Sequence, residues 1–152
     1  MENNGFDIEI TYNRGRAFEE LGQVQDATKD FETILEKEPK HLNANLSIAK
    51  MAYESGNYSK ALLVTSKLID YHQDSYQAHF WLARAKHHLG QAESAMESYG
   101  AAISLNKNFG DAYYFRGALK TTLKLSSACE DLKTAQRLKV QGADAAVKKH
   151  CS

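Results

Sequence analysis

One spacing constrains this chain more than any other feature. Gly22, Gly56 and Gly90 stand 34 residues apart, and so do Ala27, Ala61 and Ala95. A third column runs Gly15, Ala49, Ala83 and Gly117 at the same interval. Helical propensity alone has no such long period. Independent columns that hold one spacing mark an internal repeat, and this repeat length marks a helical solenoid. Residues 76–109 are the clearest copy.

Each copy divides into two helices. In the first, helix A is predicted from Ile8 to Leu21 and helix B from Val24 to Glu38, with the break at Gly22. Glycine suits a helix C-terminus because it enters the left-handed conformation without steric cost. Asn57 is a candidate N-cap for the second helix B, and Pro39 closes the first repeat where a helix must stop. Ala95, Tyr99, Ala102 and Ile103 fall at i, i+4, i+7 and i+8, on one helix face. A small residue at repeat position eight opposite a small one at position twenty lets two helices approach closely, and an aromatic at position 24 fills the space beside them. Gly15, Ala27 and Phe31 do this in the first copy; Thr65 interrupts the aromatic column in the second.

The fourth copy leaves register. Deleting one residue from its inter-helix turn brings Ala128, Leu132 and Ala135 into the helix B core columns, while Lys124 takes the column of the turn glycine. Ser127 and Glu130 are spaced as a capping box. Gly142 is expected to stop that helix, and residues 143–151 read as a short capping helix that covers the last apolar face. The expected architecture is all-α: one domain over residues 1–152, with repeats at 8–41, 42–75, 76–109 and 110–142 and the cap at 143–151.

Composition narrows the function. Nineteen basic and nineteen acidic residues leave no net charge, whereas nucleic-acid or anionic-membrane binding draws on a basic excess. No apolar run approaches the roughly 20 residues that span a bilayer. The opening MENNGFDIEI has neither the basic nor the apolar region of a signal peptide, so the expected compartment is the cytoplasm, with a trimmed periplasmic segment as the alternative. Neither nucleophile elbow, phosphate loop, HExxH nor Cys-X-X-Cys is present. His87 and His88 are adjacent and diverge by about 100° on a helix, which does not suit one metal ion. No enzyme activity, metal or cofactor is expected.

The repeat resembles the tetratricopeptide repeat family, as found in bacterial-type repeat proteins. The matching residues are Gly15, Phe18, Gly22, Ala27, Phe31 and Pro39; Ala49, Gly56, Tyr58 and Ala61; Leu82, Ala83, Gly90, Ala95, Tyr99 and Ala102; and Tyr113, Gly117 and Ala128. The resemblance covers residues 8–151 and implies a right-handed superhelix of antiparallel helix pairs. It implies also that the A helices line a concave groove that takes an extended peptide or a partner's helix. One subgroup clamps a partner's C-terminal carboxylate with Lys and Asn residues at set positions. Those positions hold Tyr12, Arg16, Ser47, Gln77 and Trp81 here, so that clamp is not expected.

On the positions that face the groove in this family, position nine reads Arg16, Lys50, Arg84, Ala118 and position five reads Tyr12, Leu46, Phe80, Tyr114. Trp81 and Phe115 stand at position six, and Tyr53, His87 and His88 at twelve and thirteen. The candidate peptide-binding set is therefore Tyr12, Arg16, Lys50, Tyr53, Phe80, Trp81, Arg84, His88, Tyr114 and Phe115, with Lys50, Tyr114 and Phe115 as the expected neighbours of Trp81. Arginine and aromatics dominate interface energetics, and arginine pairs bidentately with carboxylates. The expected partner is a protein segment, extended and acidic or aromatic-bearing. The competing reading buries Phe80 or Trp81 between helices and leaves the cations solvated. Two other functions compete: self-assembly, including a homodimer, through apolar residues such as Ile8 and Ile10, and single-stranded nucleic-acid binding by the basic stripe.

Two further expectations concern structure. Position seven is apolar in two repeats but holds Arg14 and Arg116 in the others, and only there does position 23 hold an aspartate, Asp30 and Asp131. Ion pairs Arg14–Asp30 and Arg116–Asp131 are predicted. Cys129 and Cys151 should lie close, as two free thiols rather than a disulfide, since no secretory signal is visible.

Overall fold

The computed structural model describes residues 5–152. Residues 1–4, on which part of the argument about a signal peptide rests, lie outside the described residues. Nine helices follow one another in the described chain: α1 (Ile8–Glu20), α2 (Val24–Lys37), α3 (Leu42–Glu54), α4 (Tyr58–Tyr71), α5 (Tyr76–His88), α6 (Ala92–Leu105), α7 (Gly110–Thr122), α8 (Ala128–Arg137) and α9 (Ala143–His150). They form four antiparallel pairs and a cap, stacked as a right-handed α-solenoid. Among the described residues there is no strand.

Local chemistry sets the ends of these helices. Asp7, His41 and Ser75 precede three of the A helices, and each accepts the N–H of the residue three further on. Asn57 does the same for Lys60 at the start of α4. The A helices end where Gly22, Gly56 and Gly90 take positive φ. In the fourth repeat Lys124 takes that conformation at φ 56°, although a side chain disfavours it. Its N–H still reaches the Thr121 carbonyl and Leu125 N–H the Lys120 carbonyl, so the same helix-ending turn closes without glycine.

Two expected details are corrected here. Ser127 makes no side-chain cap, because a turn occupies residues 126–127 and leaves Ser127 in near-helical geometry rather than extended. Gly142 does not stop α8; that helix ends at Arg137 with Lys139 at φ 59°, and Gly142 instead precedes α9 at φ 85°.

The core runs along the interface within each pair. Ala27, Phe31 and Ile34 of α2, and Ala95, Tyr99 and Ala102 of α6, are fully buried. A side chain on Gly15 would meet the Phe31 ring at 2.8 Å, and one on Gly117 would meet Leu132 at 2.9 Å. Position eight is small for this reason: the opposite helix already fills the space. Each large apolar side chain buried this way stabilises the fold by about 1.5–3 kcal/mol. Thr65, at the weak point of the aromatic column, is fully buried and donates its hydroxyl to the Ala61 carbonyl at 2.7 Å.

The paired exception inside this core has a definite geometry. Arg14 donates to Asp30 through Nε at 2.8 Å and Nη2 at 2.6 Å. Arg116 donates to Asp131 through the same two atoms, both at 2.7 Å. Both aspartates are buried. Lys120, four residues on from Arg116, joins Asp131 at 2.9 Å. Lys86 occupies the equivalent place in the third repeat and donates to Ser98 at 3.1 Å. Positions seven and 23 thus change together: they are Arg14 and Asp30 in the first repeat, Ile48 and Val64 in the second, Leu82 and Ser98 in the third, and Arg116 and Asp131 in the fourth.

The cysteines correct another expectation. Cys129 and Cys151 form a disulfide, with Cα atoms 5.6 Å apart, a separation that bridges without backbone movement. The preference for free thiols rested on compartment alone. The packing of α9 on α8 brings the two β-carbons together regardless of it.

Candidate functional site: the concave face

The A helices α1, α3, α5 and α7 present positions five, six and nine to one side of the solenoid. Its N-terminal half is polar. A cleft of about 180 Å³ is lined by Tyr12, Arg16, Leu46, Ser47, Lys50 and Trp81, among others. Two of its three expected cations are already engaged. Glu19, its side chain only 7% exposed, accepts from Lys50 Nζ at 3.0 Å and from Arg16 Nη1 at 3.3 Å. Arg16 also lies 3.7 Å from Glu20, and Lys50 4.0 Å from Glu54. Glu19 stands at position twelve of the first repeat, the column that gives Tyr53 and His87 in the next two. Reading that column through all four repeats would have found it.

The other half of the face is aromatic and is organised around Arg84. Its guanidinium carbon lies 3.4 Å from the centroid of Phe115 and 4.7 Å from that of Tyr53. Arg84 Nε donates to the Tyr53 hydroxyl at 3.1 Å, and Nη2 donates to the same oxygen. One arginine of the third repeat is thereby gripped by rings of the second and the fourth. Among the described residues no carboxylate lies within 4.0 Å of it, unlike Arg14, Arg16, Lys50 and Arg116.

The remaining candidates divide. Tyr53 is the hub of a cluster, 5.5 Å from Trp81, 5.2 Å from Tyr58 and 5.2 Å from His88 by ring centroids. His88 is exposed and stacks on Tyr58 at 4.4 Å. Trp81 is half-buried and turns toward Tyr53, whereas the expected approach to Phe115 is made by Arg84 and Phe80 instead. Phe80 is a core residue, 6% exposed, ringed by Phe109, Phe115, Tyr99 and Trp81. Its place in the candidate set is corrected on that ground: rings of its own repeat and Phe115 of the fourth cover it. Tyr12 is half-buried against Phe31 and His41, and Tyr114 packs edge-on against Phe115 at 5.1 Å.

His87 and His88 leave the helix in different directions. His87 Nδ1 lies 3.3 Å from the buried Tyr99 hydroxyl. Burial, then the charges of His88 and Arg84, holds His87 below the ordinary imidazole range, and burial with Arg84 does the same to His88. Burial pushes the Tyr99 phenol well up. No group of three metal-ligating side chains is found among the described residues. None of the described helices is long and apolar enough to cross a membrane.

A solenoid of paired helices with a residue-lined concave face defines a helical-repeat protein of the kind that mediates protein–protein contacts. Models of the tetratricopeptide repeat match residues 12–65 and 76–109, together more than half the chain, and the chain belongs to that family. Among solved structures it is similar to MamA, residues 41 to the end, from Desulfovibrio magneticus RS-1, with 22% identity, a TM-score of 0.77, and coverage of 88% of this chain and 76% of that one. It is similar also to TTC0263, a thermophilic tetratricopeptide repeat protein of Thermus thermophilus, with 20% identity, a TM-score of 0.76, and coverage of 87% and 74%. At this identity the likeness is one of fold. No curated protein matches.

Proposed function

We propose that the concave face binds an extended peptide segment of a protein partner, without catalysis, and selects a carboxylate at Arg84 with aromatic or apolar side chains beside it. The observation that carries this reading is the state of Arg84: oriented by Tyr53 and Phe115 from two different repeats, and with no carboxylate of the described chain beside it. A guanidinium held between rings loses little further freedom on binding, and its planar fork matches a carboxylate. Tyr53, Trp81, Tyr114 and Phe115 supply apolar contact around it. Arg16 and Lys50 are secondary, since Glu19 offsets them. That neutralisation also weighs against single-stranded nucleic acid, as does the zero net charge. Capture of a partner by the wild-type chain and its loss with Arg84→Glu tests the reading; equal capture by both contradicts it.

Self-assembly is the second reading, and one observation favours it. Ile10 is 68% and Leu21 73% exposed on α1 and the turn after it, with Phe6 and Val24 also exposed nearby. Sedimentation at micromolar concentration separates the two: a monomer that still captures its partner leaves only the groove.

A further inference from the structure

The fourth repeat has no cation at position nine. Ala118 stands where Arg16, Lys50 and Arg84 stand in the others, and the missing side chain leaves a cavity of about 420 Å³ between α7, α8 and α9. Tyr114, Ala118, Leu132 and Ala146 give it apolar walls, with Thr121, Thr122 and His150 completing the lining. The two threonine hydroxyls donate to the Gly117 and Ala118 carbonyls of their own helix, so neither hydrogen is free for a ligand. The volume lies within the range of small-ligand pockets, and the lining is that of a site for an apolar group.

This cavity adjoins Arg84 through two rings. Arg84 lies on Phe115, and Phe115 meets Tyr114, which is itself a wall of the cavity. A cation without a carboxylate and an apolar hole therefore sit one ring-to-ring step apart on the same face. We propose that the cavity is a second subsite of the groove, taking one aromatic or branched aliphatic side chain of the same peptide whose carboxylate meets Arg84. The inference rests on the peptide-groove reading above and deepens it. An extended chain advances ~3.3 Å per residue, so the acidic and apolar residues of the partner stand about two to four positions apart. Burial of that one side chain contributes about tenfold to hundredfold in affinity.

The test uses the full chain and a displayed library of peptides, each with one fixed glutamate and Leu, Ile, Phe, Tyr or Trp at every offset on either side. The expected result is enrichment of an apolar residue two to four positions from the glutamate. Ala118→Leu fills the cavity from α7 and Ala146→Leu fills it from α9. Either should abolish the apolar preference and keep the glutamate preference, while Arg84→Gln should do the reverse. Circular dichroism selects the filled variant that retains the wild-type fold for this comparison, and two positions on different helices supply it. Glutamate enrichment with no apolar preference, or a preference unchanged in the filled variant, overturns the subsite and leaves the groove reading standing. No enrichment of any peptide by the wild-type chain overturns the groove reading, and the subsite with it.

Discussion

Glu19 reaches across from the first repeat to hold Lys50 of the second at 3.0 Å, with its own side chain almost wholly out of solvent. The same carboxylate takes Arg16. It therefore acts as an internal counter-charge where an acidic ligand would otherwise bind. Glu19→Gln keeps the shape and removes the charge. Acidic peptides should then bind roughly tenfold more tightly, mainly through faster association, because unpaired charges steer encounter. Fluorescence anisotropy at low salt measures this. An affinity equal to wild type contradicts the role assigned to Glu19.

The two buried aspartates should differ in what they support. Asp131 neutralises Arg116 and Lys120, whose side chains are 22% and 16% exposed, whereas Arg14, the partner of Asp30, is 61% exposed and free to turn outward. Asp131→Asn should therefore destabilise the fold by about 3 kcal/mol, and Asp30→Asn by clearly less. Urea unfolding of both variants gives the order. The reverse order would show that the fourth-repeat cluster does not stabilise the fold as its geometry implies.

The sequence made the scaffold legible because its columns are set by contacts inside one repeat. The position-eight glycines and alanines and the position-seven and position-23 charges meet residues of the same helix pair, and the turn glycines answer a backbone conformation inside it, so one copy explains the next. The predicted limits of α1 and α2 differ from the structure by one residue each. The fourth inter-helix turn is one residue shorter than the others, and this was visible because Ala128, Leu132 and Ala135 align only once that missing residue is allowed for; all three are buried. What escaped depends on contacts between repeats. Phe80 and Tyr114 share a column, yet Phe115 of the following repeat helps cover Phe80 while Tyr114 borders a cavity. Glu19 neutralises Lys50 only because the next repeat brings it within 3.0 Å. The disulfide escaped for another reason: it follows from how α9 docks on α8, which no repeat column encodes.

Stability should depend on the protonation of the α5 histidines. Because His87 and His88 are lowered in the folded chain, the unfolded chain binds protons on them first as pH falls. Their contribution is complete above the unfolded value of about 6.5 and declines below it, levelling off only beneath the folded values. The groups facing them are Arg84, Tyr53, Tyr58 and Tyr99. The urea midpoint should therefore drop between about pH 7.5 and about pH 5.5. His87→Gln with His88→Gln should flatten that slope. A double variant with the wild-type slope would assign the pH dependence elsewhere.

The Cys129–Cys151 bond closes a loop of sequence separation 22 around the cap. A loop of that size stabilises by about 3 kcal/mol through the unfolded chain. Cys151→Ser should lower the thermal midpoint and free α9, which forms one wall of the cavity beside Tyr114. Thiol labelling of the oxidised protein should find neither cysteine before reduction. Rapid labelling of both without reductant contradicts the bridge.

The groove itself is tested most directly at Arg84, with Trp81 as the reporter, since it is the only tryptophan of the chain and packs on Tyr53, the hydroxyl that Arg84 engages. Titration of a library-selected acidic peptide should change Trp81 emission on the wild-type protein. Arg84→Glu should weaken binding by about tenfold to hundredfold with an unchanged helical circular-dichroism spectrum. Full affinity in Arg84→Glu, and again with Arg16 and Lys50 reversed to glutamate as well, would contradict binding of an acidic segment in the concave face.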